Sequence, residues 1–159
     1  MFRIGFGNDT HRLEKNKPLI LGGVRIESEL GAVGHSDADA LLHAVTDALL
    51  GALALGDIGS HFSDKDRRWE NADSRVFLRE AVGLIKERGF QVVNVDSIIN
   101  LETPKLRPFI ERMRGNLAHE LEIEIDCVSV KAKTGEKVDA VGESRAVKTE
   151  AVVLLKTTA

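Results

Sequence analysis

Five apolar-rich stretches of strand character and three with apolar positions at a period of 3.6 follow one another along the chain, so strands and helices are interleaved. Residues 3–13, "RIGFGNDTHRL", read as an extended segment in which Asp9 and His11 share one face and Gly5 and Gly7 precede them. "PLILGGVRI", residues 18–26, is two apolar runs around Gly22 and Gly23, the mark of a β-hairpin. "HSDADALLHAVTDALLGALALG" predicts a helix with Ser36 as N-cap, Asp37 and Asp39 at its positive end, Leu42, Val45, Leu49, Ala52 and Leu53 as its core stripe, and Gly56 after its last turn. A second helix is predicted over Ser74–Arg88, with Phe77, Leu78, Ala81, Val82 and Ile85 on one face and Gly89 as its stop. "QVVNVDSIINL" predicts a strand. A third helix follows over Lys105–Leu121, with Pro108 in its first turn. "CVSVKAK" predicts a half-buried strand with Val128, Val130 and Ala132 inward, and "AVKTEAVVLLK" closes the sheet.

This pattern predicts an α/β sandwich within one domain, residues 1–159, with helices on one sheet face. The apolar "AVVLLK" end and the scarcity of aromatic residues point to sister subunits covering the other face. Hydrophobic residues make up 43% of the chain and charged ones 30%, and no apolar run approaches the ~20 residues of a membrane span. The first residues lack the charged head and long apolar middle of a secretory signal, so a cytoplasmic protein is expected. A net charge of -3 and 4% aromatic residues speak against a nucleic-acid partner. The single cysteine, Cys127, has no partner for a disulfide or a thiolate metal site and reads as a buried core thiol.

Candidate chemistry starts from the Asp9-x-His11 pair. His43, on the predicted first helix, is the best third ligand, with Asp39 one turn earlier on the same face as the group that would orient its ring. Two nitrogens and one oxygen suit zinc with one tetrahedral position open. Asp-x-His is also a common tripeptide, and a helical histidine is commonly a satisfied polar residue; spacing alone leaves both readings open. His35 and Ser36 precede the predicted helix, whose free N–H groups would form an anion site. "VKAKTGEKVDAVGESR", residues 130–145, gathers Thr134, Glu136, Lys137 and Arg145, a mixture that suits phosphate held with magnesium, or else a solvated charged loop.

Taken in order, "RIGFGNDTH", "LILGGVRI", "GHSDADALLHAVTDALLGALALGDIG", "FSDKD", "ADSRVFLREA", "TPKL" and "KAKTGEK" resemble the 2-C-methyl-D-erythritol 2,4-cyclodiphosphate synthases of the non-mevalonate isoprenoid pathway, over essentially the whole chain. The resemblance implies a homotrimer of mixed sheets packed around a threefold axis with helices outside, and active sites between neighbouring subunits. It implies Zn2+ on Asp9, His11 and His43, and Mg2+ or Mn2+ on Glu136 and the substrate phosphates. His35, Thr134 and Glu136 would be catalytic. One subunit would bind diphosphate through His35 and Ser36 and the methylerythritol through Asp57 and Asp64. Its neighbour would offer a cytidine pocket of Leu101, Thr103, Pro104, Lys105 and Leu106, with Thr134, Glu136 and Arg145.

The implied reaction is cyclisation of a cytidine diphosphate ester with release of CMP, a phosphorus–oxygen lyase activity. Two other readings make different products: a metal-dependent phosphohydrolase would give linear phosphates, and a non-catalytic metal- and nucleotide-binding trimer would give none. Residues 60–73, "SHFSDKDRRWENAD", are expected to cover the substrate, because hydrolysis competes with cyclisation. The stretch "TGEKVDAVG" departs from the commonest bacterial pattern and is similar to the plastid one, Asn8 replaces a usual aromatic and Ser63 a usual proline.

Overall fold

The computed structural model describes residues 1–158. β1 (Phe2–Lys15) leads into a short hairpin, β2 (Leu19–Leu21) and β3 (Val24–Ile26), then β4 (Leu30–Ala32) and α1 (Ala40–Ala52). A one-turn α2 (Ile58–His61) and a 3-10 turn (Arg67–Trp69) precede α3 (Arg75–Glu87) and β5 (Phe90–Asn100). After a further 3-10 turn (Arg107–Phe109) come α4 (Ile110–Leu121), β6 (Val128–Lys133), the one-turn α5 (Asp139–Gly142) and β7 (Ala146–Thr157).

Five strands form a mixed sheet in the order β4-β1-β7-β5-β6, in which only β5 and β6 run parallel. That parallel pair needs a crossover, which α4 supplies. The first and last long strands pair along almost their whole length, from Phe2 opposite Lys156 to Arg12 opposite Ala146. One face of the sheet carries α1, α3 and α4 over a core that includes Val95, Ile99, Val147, Ala151, Val153 and Leu155. On the other face Ile4, Phe6 and Val152 are 71%, 58% and 43% exposed, far more than large apolar side chains on a finished sheet.

Gly5 and Gly7 set the distance between sheet and helix. A Cβ on Gly5 would lie 1.8 Å from the Ala48 carbonyl oxygen, and one on Gly7 2.0 Å from that of Ala44. The chain thus joins two bare strand positions to the small-residue stripe Ala44, Ala48 and Ala52, and α1 lies directly on the β1 backbone.

Several elements differ from the sequence expectation. α1 begins at Ala40 with Asp39 as its cap, not Ser36, because residues 35–38 are drawn into a loop: Asp37 N–H donates to Ala72 O (3.0 Å), Asn71 N–H to His35 O (2.8 Å), and Ala38 has φ +56°. Its last turn ends at Ala52, and Ala54 in the left-handed region (φ +55°) turns the chain before Gly56. The third helix opens as a 3-10 turn holding Pro108 and becomes α-helical only at Ile110. Ala132 is exposed rather than inward, since β6 is an edge strand whose end projects beyond the helix layer. Cys127 is half-buried, in a 3-10 turn before β6. Among the described residues no helix is long and apolar enough to cross a membrane.

Candidate active site

β1 presents Asp9 and His11 on its helix-facing side, and the close seat of α1 brings His43 over them. Asp9 Oδ2, His11 Nε2 and His43 Nδ1 form a triangle with sides of 2.8, 3.0 and 3.3 Å. Four ligands at ~2.0–2.1 Å around a tetrahedral zinc stand ~3.3 Å apart, so the triangle is a slightly contracted tetrahedral face. The other ring nitrogen of each histidine is already engaged: His11 Nδ1–H donates to Val33 O (2.9 Å), and His43 Nε2 meets the hydroxyls of Ser74 (2.8 Å) and Ser36 (3.1 Å). The Val33 carbonyl thereby holds His11 in the tautomer that aims the Nε2 lone pair at the common point. Among the described residues these three are the only group of histidine, cysteine or carboxylate side chains clustered tightly enough to hold a metal ion.

The charges suit a cation. Burial pushes the Asp9 carboxyl up, but the hydrogen bonds and charges of His11 and His43 outweigh it and hold Asp9 well below the usual carboxylate range. Burial opposes a charge on His11, yet Asp9 raises its pKa above the ordinary imidazole value.

Asp39 does not orient His43, as its place one turn earlier suggested. Its carboxylate is fully buried and accepts from Gly22 N–H (2.9 Å), Gly23 N–H (2.7 Å) and Leu42 N–H (3.1 Å), tying the β2–β3 turn to the first turn of α1. Gly22 and Gly23 both have φ near +60–70°, the hand a two-residue hairpin turn demands. Burial pushes the Asp39 carboxyl up to about 6, against the lowering effect of these three donors.

His11 and His43 line a cavity of about 410 Å3 together with His35, Ser36, Ile58, Gly59, Phe62, Asp64, Trp69 and Phe77, while Asp9 stands behind the two histidines and outside the lining. His35, Ser36 and Asp64 thus share one cavity lining with His11 and His43. The N–H groups behind Ser36 are not a helix N-terminus, so the anion site expected there reduces to the side chains of His35 and Ser36. Asp57 caps α2, accepting from Ser60 N–H (2.8 Å), and is not in the lining. Asp47 on α1 fixes the cavity's lip by accepting from Ile58 N–H (2.7 Å).

Sequence reasoning missed the aromatic wall. Phe62 packs on Phe77 (4.7 Å between ring centroids), and Trp69 meets both edge-on at 5.4 and 5.6 Å. The one tryptophan in a strongly polar stretch was the available signal.

The second set of expected residues sits elsewhere in the same subunit. Leu101, Thr103, Pro104, Lys105, Leu106, Thr134, Glu136 and Arg145 line no part of this cavity. The 101–106 and 134–136 segments adjoin each other where β5 and β6 end: Leu101 N–H donates to Lys133 O and Gly135 N–H to Glu102 Oε2, both at 2.9 Å. Leu101 and Leu106 are core side chains, 3% and 4% exposed, leaving Thr103 and Lys105 outward. Glu136 is exposed, with only the Thr134 hydroxyl beside it (3.2 Å) and no part in the Asp-His-His cluster; Arg145 pairs with Glu143. The sheet register places the two sets at one level: Thr10 and Asn100 both face Lys148 across β7, two strand spacings or about 10 Å apart.

A family model described as YgbB family matches residues 2–156. The chain belongs to the YgbB family. It is 54% identical over 154 residues to the 2-C-methyl-D-erythritol 2,4-cyclodiphosphate synthase of Solibacter usitatus, covering 97% of each chain. A solved structure of 2C-methyl-D-erythritol-2,4-cyclodiphosphate synthase superposes with a TM-score of 0.90 at 44% identity, over 97% of this chain and 100% of that one. A CDP-bound form of such a synthase matches with the same TM-score, identity and coverage.

Proposed function

We propose that this protein converts 4-diphosphocytidyl-2-C-methyl-D-erythritol 2-phosphate to 2-C-methyl-D-erythritol 2,4-cyclodiphosphate with release of CMP, in the cytoplasm. The observation that carries the proposal is the convergence of Asp9, His11 and His43, two of which line a cavity whose remaining polar lining includes His35 and Ser36. The synthase name of relatives 54% identical over almost the full length supports it, and nothing in the site favours the hydrolase or scaffold readings.

In the reaction an oxygen of the 2-phosphate forms a bond to the β-phosphorus, and the bond from that phosphorus to the CMP oxygen breaks. The nucleophile is an anion near neutral pH, so no strong base is required; alignment and charge neutralisation are. Asp9, His11 and His43 would hold Zn2+, and Glu136 with the substrate phosphates Mg2+ or Mn2+, and these cations would supply that neutralisation. His35 and Ser36 donate to the diphosphate oxygens, while Asp64, with Asp57 at the lip, accepts from the methylerythritol hydroxyls. Phe62, Trp69 and Phe77 keep water from the β-phosphorus.

The separation of the two residue sets within one subunit supports an active site completed by a neighbour. Burying Ile4, Phe6 and Val152 between sheet faces around a threefold axis gains, for each, roughly half of the ~1.5–3 kcal/mol that complete burial of such a side chain is worth, since each is already partly covered. In that homotrimer the neighbouring subunit brings Thr103, Pro104, Lys105 and the backbone of Leu101 and Leu106 to the cytidine, Thr134 and Glu136 to the phosphates, and Arg145 to the rim. Thr134 and His35 are the catalytic donors, one from each subunit, and each chain contributes as one domain, 1–159.

Subunit mixing tests this reading. His43→Ala and Glu136→Gln should each lower CMP release by 100-fold or more, and a mixture of the two, dissociated and reassembled, should recover part of the wild-type rate, because some interfaces then carry both intact halves. No recovery in correctly assembled mixed trimers would place each site within one subunit.

A further inference from the structure

Ser74 occupies the N-cap position of α3, where a serine hydroxyl ordinarily accepts from the helix's free N–H groups. Here it makes no such bond. The side chain is fully buried and turned inward, with Oγ 2.8 Å from His43 Nε2. The same hydroxyl donates to Asp37 Oδ1, and Ser74 N–H donates to Asp37 Oδ2 (3.2 Å). Asp37 is itself fixed through its N–H to Ala72 O.

We infer that Ser74 and Asp37 form a positioning relay, His43–Ser74–Asp37, that sets the ring orientation and tautomer of His43 and thereby the affinity of the Asp9–His11–His43 centre for its metal. The inference rests on the metal reading proposed above. The direction of the bonds fixes the tautomer. Asp37 as a carboxylate only accepts, so the Ser74 hydrogen points to it and a Ser74 lone pair faces His43. His43 Nε2 must then carry the proton, and Nδ1 is left bare toward Asp9 Oδ2 and His11 Nε2.

The two histidines are thus served by different devices. His11 donates to a main-chain carbonyl, Val33, that no substitution removes, whereas His43 depends on two side chains 31 and 6 residues away in sequence. Ser36 also lies 3.1 Å from His43 Nε2, but it lines the cavity, where its hydroxyl is available to a ligand; Ser74 does not line the cavity, so its bond persists when the cavity fills. The relay also joins the metal centre to the end of the 60–73 cover, since Ser74 is the first residue after it.

The test measures Zn2+ affinity by competition with a chromophoric chelator, together with 15N spectra of the His43 ring in metal-free protein, for wild type, Ser74→Ala, Asp37→Asn and the double variant. Melting of each metal-free variant reports its folding. The relay predicts affinity lower by about 10–100-fold in each single variant. It predicts little further loss in the double variant, because the two residues act as one unit, and a mixture of His43 tautomers where the wild type holds Nε2–H. Asp37→Asn keeps the size of the side chain and decides the matter if Ser74→Ala does not fold. Affinities within twofold of wild type and an unchanged His43 tautomer would overturn the relay while leaving the metal centre intact. Failure of the folded wild type to bind Zn2+ at all would overturn the metal reading and the relay with it.

Discussion

The Cβ that Gly7 lacks would stand 2.0 Å from the carbonyl oxygen of Ala44, the residue after His43. Strand and helix backbones touch at the point where the strand's Asp9 and His11 and the helix's His43 must converge. Gly7→Ala forces α1 outward and should cost at least about 3 kcal/mol of stability. Any folded fraction should also bind Zn2+ more weakly, because His43 moves with the helix. Denaturant unfolding and metal titration of the same sample check both effects; a stable variant with unaltered Zn2+ affinity would show that the contact does not set the ligand geometry.

Asp39 supplies acceptors to three buried N–H groups, on Gly22, Gly23 and Leu42. Asparagine in its place turns an NH2 group toward at least one of them, leaving a buried donor without a partner. Asp39→Asn should lower stability by about 1–3 kcal/mol, measured by urea unfolding. A loss below a few tenths of a kcal/mol would contradict the assignment.

Protons and metal compete at His11. Asp9 raises its pKa, so in the metal-free protein the His11–Asp9 pair adds stability that is present below the ordinary imidazole pKa of ~6.5 and is lost as pH rises through the raised value. Asp9, held low, contributes stability above its ordinary ~3.9 that is lost only as pH falls toward its depressed value. Metal binding has the opposite dependence, because the metal must displace the His11 proton. Zn2+ affinity should therefore rise about tenfold per pH unit up to the raised His11 pKa and level off above it. Calorimetric titration at several pH values, with buffer ionisation corrected, gives the slope; a flat profile below pH 7 would count against His11 as a ligand.

If the exposed sheet face is the contact of the proposed homotrimer, a charge placed on it should prevent assembly. Phe6→Asp leaves the subunit core untouched, since Phe6 is 58% exposed. Sedimentation should show monomers in place of trimers, with CMP release reduced at least 100-fold. A fully active monomer would exclude a site shared between subunits.

Residues 60–73 form one wall of the cavity: Phe62 packs on Phe77, Trp69 meets Phe77 edge-on, and the Asp66 carbonyl lies 3.0 Å from His35 Nε2. Binding of CDP with Mg2+ should slow amide hydrogen exchange in this segment several-fold. Unchanged exchange at saturating nucleotide would show that the segment does not respond to ligand.

The Asp9–His11–His43 cluster was legible as a candidate from two local periods, two for Asp9 and His11 in a strand and 3.6 for the helix carrying His43, while spacing alone left a satisfied polar histidine equally open. The glycines before them were equally legible as unusual, though their partner stripe Ala44–Ala48–Ala52 emerges only when α1 lies on β1. Ser74 was not legible, because a serine before an apolar helical pattern reads as a cap whichever way its hydroxyl turns. Asp39 misled for a related reason: helical spacing puts it beneath His43, but the hairpin turn, brought in from 16 residues away, claims its carboxylate. The strand order also escaped, since pairing of the first long strand with the last is decided by contacts some 150 residues apart.

The cavity lined by His11 and His43 is proposed to close a ring of two phosphates. Phosphorus NMR of the purified protein with its proposed substrate, Zn2+ and Mg2+, with and without a chelator, tests it most directly. The account predicts two mutually coupled signals of a cyclic diphosphate growing in step with CMP, and their loss on chelation. Linear phosphates as the products, or substrate that binds and stays intact in the metal-loaded protein, would contradict it.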